Sequence, residues 1–169
     1  MHDRLVADPE EFYLYHSLYR EARKTWSEVP YQVIAEQLNK RPDWIVGDFG
    51  CGEALLSKSV RNKVYSFDHL AINPSVVACD MAHTGLDEEI LDVAVFSLSL
   101  MGVNWEDYLK EAFRLLRSGS LLKVSEPASG WSENNFASLK KGIESAGFVL
   151  NGEPRLSSKF IYIDAIKPL

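Results

Sequence analysis

Positive charge is scarce in this chain: 18 Lys and Arg stand against 24 Asp and Glu, for a formal net charge of -6. Indiscriminate binding of polyanions needs dense Lys and Arg. If a nucleic acid is bound, a local basic patch or a segment outside these residues must supply the attraction. Cysteine is nearly missing. Only Cys51 and Cys79 occur, too few for a disulfide scaffold, and no secretory segment opens the chain, so a reducing, intracellular compartment is expected. Those two and the 4 His make no zinc-ligand spacing, and no metal is expected. No apolar run approaches the roughly 18 residues of a membrane span, so no membrane is expected as a partner. Repeats and low-complexity tracts are missing too. No Ser, His and Asp fall at a known motif spacing, which leaves hydrolysis without support.

What is present suits one core. The 169 residues are 46% hydrophobic and 25% charged, enough apolar mass for one structural domain and an ordinary surface. The first 42 residues read as a helical segment. Asp8-Pro9-Glu10-Glu11 is a helix start: Asp8 caps, Pro9 suits the first helical position and Glu11 completes a capping box. Phe12, Tyr15, His16 and Tyr19 follow at spacings of three and four, which places them on one helix face. A second helix spans Tyr31 to Leu38, and Arg41-Pro42-Asp43 ends it.

From residue 43 to 169 the pattern alternates between strand and helix. Seven strands are predicted, at Trp44–Phe49, Val64–Phe67, Val76–Cys79, Leu91–Ser97, Ser120–Val124, Phe148–Leu150 and Lys159–Ile166. Helices are predicted at Glu53 to Val60, Trp105 to Leu116 and Asn135 to Ser145, with Gly119 and Gly147 as stops just past helix ends. That alternation, closed by a pair of strands, gives an α/β fold: a Rossmann-like, seven-stranded, mostly parallel sheet with helices on both faces. Ligands sit outside the carboxyl ends of such strands.

At those ends lie the residues that carry chemistry. The first strand runs into Asp48-Phe49-Gly50-Cys51-Gly52, and the second ends in Asp68. Closely spaced glycines let backbone approach a ligand, and an acid after the second strand accepts from ribose hydroxyls. Leu55 stands where a dinucleotide fold wants its third glycine, so the pyrophosphate cradle is incomplete. Asp-x-Gly-x-Gly needs only to meet an amino-acid carboxylate and amine, and S-adenosylmethionine becomes the leading cofactor. Asp80 and Met81 suit the adenine amino group and ring, although a helix cap with a core methionine explains them equally well. Ser97-Leu98-Ser99-Leu100-Met101-Gly102 ends the fourth strand, where a transferred methyl belongs. Taken alone, His16 reads as a packed residue and the two cysteines as small buried ones.

The chain also resembles a known family, the nucleolar ribosomal-RNA-processing (nucleomethylin-like) methyltransferases. The resemblance runs from about Asp8 to the C-terminus. It rests on Asp8-Pro9-Glu10-Glu11-Phe12, Leu14-Tyr15-His16, Asp48-Phe49-Gly50-Cys51-Gly52, Val60-Arg61-Asn62, Phe67-Asp68, Cys79-Asp80-Met81-Ala82, Asp92-Val93-Ala94-Val95-Phe96 and Leu98-Ser99-Leu100-Met101-Gly102. It implies a seven-stranded, class I S-adenosylmethionine-dependent fold with an N-terminal helical lid. It also implies cofactor contacts from His16, Gly50, Asp68, Asp80, Met81 and the position of Ser97, alongside Asp48, Cys51 and Gly52 of the turn. The reaction it implies is 1-methyladenosine formation in large-subunit ribosomal RNA, in the nucleolus, with S-adenosylhomocysteine as product. Some members also join a nucleolar silencing complex.

Three features depart from the family pattern. Ser97 replaces a cysteine, Arg117-Ser118-Gly119-Ser120 replaces a Pro-Gly-Gly turn, and the basic amino-terminal extension is not in this sequence. RNA capture is therefore expected to need a basic extension or a partner protein, aided by any patch formed from Arg20, Arg23, Lys24, Lys123, Arg155 and Lys159. The Leu98 to Gly102 backbone and Glu126 are expected to face the acceptor, and no general base stands out. Two other readings remain: methylation of another RNA position, a protein or a small molecule, and a non-catalytic, cofactor-sensing scaffold.

Overall fold

The structure is a computed structural model that describes residues 9–100 and 102–169. The Asp8 cap, Met101 and the side chain of Phe12 lie outside the described residues. Two helices come first, α1 (Pro9–Arg23) and α2 (Pro30–Leu38). Then follow β1 (Val46–Phe49), α3 (Leu55–Ser59), β2 (Val64–Asp68), β3 (Val76–Ala78), β4 (Leu91–Ser97), α4 (Trp105–Leu115) and β5 (Leu116–Pro127). A short 3-10 turn (Ala128–Gly130), α5 (Ala137–Ser145), β6 (Val149–Leu150), β7 (Arg155–Ser157) and β8 (Phe160–Ile166) complete the chain.

The strands form one sheet in the order β3-β2-β1-β4-β5-β8-β6, with β7 also paired to β8. The first five in that order run parallel, while β8 is antiparallel to β5, β6 and β7. This is the expected Rossmann-like architecture with eight strands instead of seven. The additional strand, β7, is three residues long, mostly exposed and preceded by Gly152-Glu153-Pro154. So short a run carries too little alternation to read as a strand.

Alternate residues of β4 serve two cores, as a period of two requires. Ala94 and Phe96 join the cluster under α4 and α5, with Phe49, Tyr108, Leu109 and Ile143. Val93 and Val95 join the cluster under α2 and α3, with Ile34, Leu38, Val46 and Leu56. Helices therefore cover both faces. Gly47 allows the close crossing of β1 past β4, since a Cβ there would lie 2.6 Å from the Leu91 side chain.

Two sequence readings shift. Gly119 is not a helix stop: α4 passes straight into β5, and the Gly119 amide pairs with the Lys167 carbonyl as part of the sheet. Gly147 does follow α5 as a stop, with φ +112° and its amide on the Glu144 carbonyl. Among the described residues no helix is long and apolar enough to cross a membrane, and no His, Cys, Asp and Glu cluster is arranged to hold a metal ion.

Candidate functional site

The chain reverses its direction across the sheet between β1 and β4. After β1 it winds to β2 and β3 on one side, then returns to β4 on the other. Such a switch point leaves a crevice at the carboxyl ends of the two strands. A cleft of about 660 Å³, including its open mouth, lies there. Asp48, Gly50, Cys51 and Gly52 form its floor, Ser97 and Leu98 one side, and Tyr15, His16 and Tyr19 of α1 its cover.

The floor is a turn that only glycine permits. Gly50 and Gly52 have φ of +77° and +56°, in the left-handed region that glycine enters freely. A Cβ on Gly50 would collide with Ser99 Cβ, and one on Gly52 would meet His16 Cε1 at 3.0 Å. The His16 ring thus rests directly on the glycine turn. Buried Asp68 locks the turn from below: Oδ2 accepts from the Gly52 amide (2.8 Å) and Oδ1 from the His69 amide (2.7 Å). Each oxygen keeps lone-pair capacity for a further donor.

The cover is tied to the floor by charge. Glu53 follows the turn and receives Arg20 at 2.9 Å and Arg23 at 3.4 Å, both from α1. Aromatic rings continue the cover outward. Tyr15 meets His16 edge-on at 5.2 Å, Tyr19 follows at 5.3 Å from Tyr15, then Trp26 at 5.9 Å from Tyr19, and Trp26 packs on Phe160 of β8 at 5.2 Å. Glu28, between α1 and α2, accepts from Ser157 (3.0 Å) and Tyr162 (2.9 Å) and fixes that end of the cover to β7 and β8.

Burial shifts the titrating groups of the site toward their neutral forms. Burial pushes Asp48 up to about 7, with the Asp68 charge adding to it. Burial also raises Asp68, opposed by its two amide donors. Burial lowers His16 more than Glu53 raises it, with Arg23 and Arg20 lowering it further, so the imidazole is neutral. Burial drives the Cys51 thiol far up and Cys79 to about 11. Both cysteines are free thiols and neither is a nucleophile, because the thiolate is the reactive form.

The structure brings His16, Asp48, Gly50, Cys51, Gly52 and Ser97 around one cleft. Asp68 sits just behind the turn. Asp80 is exposed after β3, where its Oδ1 accepts from the Ala82 amide at 2.9 Å, and Met81 is buried in the larger core. Sequence reasoning missed Trp26 and Tyr31 as site residues, read Arg23 only as a patch cation, and gave Glu53 no role beyond its place at the end of the glycine turn. For Glu53 a signal existed: Arg20 and Arg23 stand one turn apart on a helix whose face also carries His16. Leu98 also gains significance, because it holds a strained φ of +58° at the end of β4, as functional turns often do.

The residues fit an adenosine cofactor carrying an amino acid. The glycine turn admits backbone contact with a small zwitterion, Asp48 can meet an amine, and Asp68 follows β2 where a ribose is read. Ser99 Oγ is buried without a hydrogen-bond partner among the described residues and lies 3.2 Å from where a Gly50 Cβ would stand. An orphaned hydroxyl at the turn is a polar group awaiting a partner.

The six cations that could have formed a basic patch are mostly engaged elsewhere. Arg20 and Arg23 are spent on Glu53, Lys24 pairs with Glu21, and buried Lys123 is held by Asp164 (3.2 Å) and Gln37 (2.7 Å). Arg155 stacks over Tyr162 and Lys159 over Trp26. Of the six cations, only these two have no carboxylate partner among the described residues.

A family model described as a hypothetical methyltransferase matches residues 2–168. Ribosomal RNA-processing protein 8 of Arabidopsis thaliana is 46% identical over 134 residues, covering 79% of this chain and 47% of that protein. The 25S rRNA (adenine(645)-N(1))-methyltransferase of Schizosaccharomyces pombe is 37% identical over 154 residues, covering 83% and 48%. The chain thus spans about half the length of these curated relatives. Among solved structures, a Burkholderia thailandensis 1,6-didemethyltoxoflavin-N1-methyltransferase with bound S-adenosylhomocysteine superposes with TM-score 0.65 at 18% identity, over 95% of this chain and 91% of that one. That likeness shows the fold, a class I methyltransferase sheet. With the family model matching from end to end, the chain belongs to this methyltransferase family.

Proposed function

We propose that this chain is an S-adenosylmethionine-dependent methyltransferase acting on ribosomal RNA and that it forms 1-methyladenosine in the large subunit. The observation that carries the reading is the Asp48–Gly52 turn at the sheet's switch point, locked by Asp68 and roofed by His16. The names of the Arabidopsis and fission-yeast relatives support the substrate. The same names support a role in ribosome biogenesis, which we place in the nucleus or nucleolus. On this reading residues 1–42 act as a lid on the core of 43–169.

His16, Asp48, Gly50, Cys51, Gly52 and Ser97 would hold the cofactor's amino-acid end, Asp68 its ribose, and Asp80 and Met81 its adenine. S-adenosylmethionine supplies an electrophilic methyl on a sulfonium and leaves as S-adenosylhomocysteine. The acceptor N1 of adenine already has a lone pair, so no strong base is needed. The chain supplies alignment and exclusion of water. Adenine N1 is engaged in paired RNA, so the target must be unpaired or flipped. Tyr15, Tyr19, Trp26 and Tyr31 offer flat faces at the cleft on which a splayed base can stack.

Calorimetric titration of S-adenosylhomocysteine into the wild type and Asp68→Ala tests the cofactor reading. The variant should bind more weakly by roughly 1.5–3 kcal/mol, the worth of a hydrogen bond to a charged acceptor. Unchanged binding in the variant removes Asp68 from the site. Tight NAD binding with no binding of S-adenosylhomocysteine removes the methyltransferase reading altogether.

A further inference from the structure

Lys159 and Arg155, the two marked cations without a carboxylate partner among the described residues, stand on one edge of the cleft. The period of two in β8 explains why. Ile161, Ile163 and Ala165 point into the core under α4 and α5, so Phe160, Tyr162 and Asp164 face the α2 side. There Trp26, which lines the cleft, packs on Phe160 at 5.2 Å. Lys159 Nζ lies 5.3 Å from the centre of the Trp26 ring, and the Arg155 guanidinium 4.4 Å from that of Tyr162. Both cations are exposed, and a ring steadies a cation without cancelling its charge. A second hollow of about 610 Å³, including its open mouth, follows on the same face, with Arg155 and Tyr162 in its lining. Helix α2 runs past both hollows: Pro30 and Tyr31 line the cleft, and Ile34 and Gln37, about one turn further on, line the second.

This edge is fixed to the cleft cover. Ser157 pairs with Phe160, which leaves Ser158 and Lys159 as the two-residue tip between β7 and β8. Ser158 takes a φ of +56°, the sign that such tight hairpins require. Its hydroxyl meets that of Ser27 at 3.1 Å, and the Lys159 carbonyl accepts from the Ala128 amide at 2.8 Å. Glu28 spends its two oxygens on the hydroxyls of Ser157 and Tyr162. Together these bonds hold the backbone that carries Lys159 against the segment between α1 and α2. Glu153 and Asp164 also line the second hollow, which therefore suits the amino groups of a base better than a phosphate.

We infer that this edge carries the RNA strand: Lys159 and Arg155 hold the phosphates beside the target nucleotide, whose base enters the cleft past Trp26 while its neighbour lies over the second hollow. The inference rests on the ribosomal-RNA reading above and adds to it the path of the strand. A base leaves its stack by a turn of its own backbone, and fixed cations beside the cleft hold the backbone in that turned position. Phosphate contacts set register and orientation without reading sequence. The choice of base therefore stays with the cleft. Two such contacts are few, so the strand is guided here, and a basic segment elsewhere supplies the bulk of the attraction.

The test follows the fluorescence anisotropy of a short labelled oligouridylate with one central adenosine, titrated across a salt series with the chain saturated in S-adenosylhomocysteine. Arg155→Gln and Lys159→Gln should each weaken binding by about 3-fold at low salt and flatten the salt slope by about 0.7, the single-strand value for one phosphate. Their affinity for S-adenosylhomocysteine should not change. Lys141→Gln removes an exposed cation from α5, on the other face of the sheet, and should alter neither affinity nor slope. A neutral methylphosphonate in place of a phosphate next to the adenosine should weaken the wild type by a similar factor and leave the Arg155→Gln, Lys159→Gln double variant unaffected, because the partner charge is already gone. A double variant that binds RNA as Lys141→Gln does, or a methylphosphonate that weakens both chains equally, overturns the inference. If the double variant does not fold, the wild type decides alone: a loss confined to the linkages beside the adenosine supports the path, and an even loss along the strand overturns it. Failure here with labelled 1-methyladenosine still formed in ribosomal RNA overturns only the strand path, whereas label on a different base overturns the adenine reading itself.

Discussion

At the residue scale, two buried acids set how stability responds to pH. Asp48 and Glu126 are both raised by burial, to about 7 and about 8. A carboxyl whose folded value is raised contributes stability that is present below its unfolded value and is lost as pH rises through the folded one. In the window between, the folded chain holds a proton that the unfolded chain has released, so stability falls by roughly 1.4 kcal/mol per pH unit for each such group. The ligand-free protein should therefore melt at a lower temperature near pH 8.5 than near pH 5.5, and Glu126→Gln should flatten the decline. A melting temperature that climbs over that range would contradict the burial of both acids. Asp68 carries a further consequence, since Asp68→Ala strands the amides of Gly52 and His69 and should also lower stability without ligand. Its place was legible in the sequence as the acid that closes the second apolar run, while its hold on the turn amides was not. Glu126 was legible only as a place after the fifth strand. Its burial depends on how the Leu98–Leu100 turn folds back onto β5, and no local pattern encodes that.

At the element scale, α1 decides whether the cleft is covered. Its aromatic face was readable from the spacing of Tyr15, His16 and Tyr19, and the structure puts that face on the glycine turn. The Glu53 link and the Glu28 bonds to Ser157 and Tyr162 were not readable, since they join segments far apart in the chain. The same limit hid β7, which exists only because β8 offers it an edge. His16→Ala should weaken cofactor binding several-fold yet barely change the melting temperature without ligand, because a covering residue acts through the ligand it touches. The reverse result, an unstable variant that binds normally once folded, would make His16 a packing residue and nothing more. Helix and strand ends moved by a few residues where backbone geometry overrides pattern. The left-handed Ala54 shortens α3 to Leu55–Ser59, and Asn134, Asn135 and Phe136, all with positive φ, delay the start of α5.

At the scale of the whole molecule, fold class and charge pull apart. Strand–helix alternation and the two hydrophobic periods carried the doubly wound sheet plainly. Surface charge did not carry a nucleic-acid interface, since four of the six cations marked in the sequence are paired with carboxylates, three in all. With Arg155 and Lys159 left beside the aromatic cover, the logarithm of RNA affinity should fall against the logarithm of salt with a slope of only about -1 to -2. Binding should be weak, and fusing a basic segment should strengthen it and steepen the slope while leaving cofactor affinity unchanged. Tight, salt-insensitive binding by the chain alone would instead mean recognition through shape and base contacts.

The proposed reaction is transfer of a methyl group onto adenine in ribosomal RNA. Its most direct test is mass spectrometry of the nucleosides released from large-subunit ribosomal RNA after prolonged incubation, at low salt, with the chain and methyl-labelled S-adenosylmethionine. Labelled 1-methyladenosine is expected, and its loss in Asp68→Ala; label on any other nucleoside, or none with the cofactor bound and a basic segment fused, would overturn the proposed reaction.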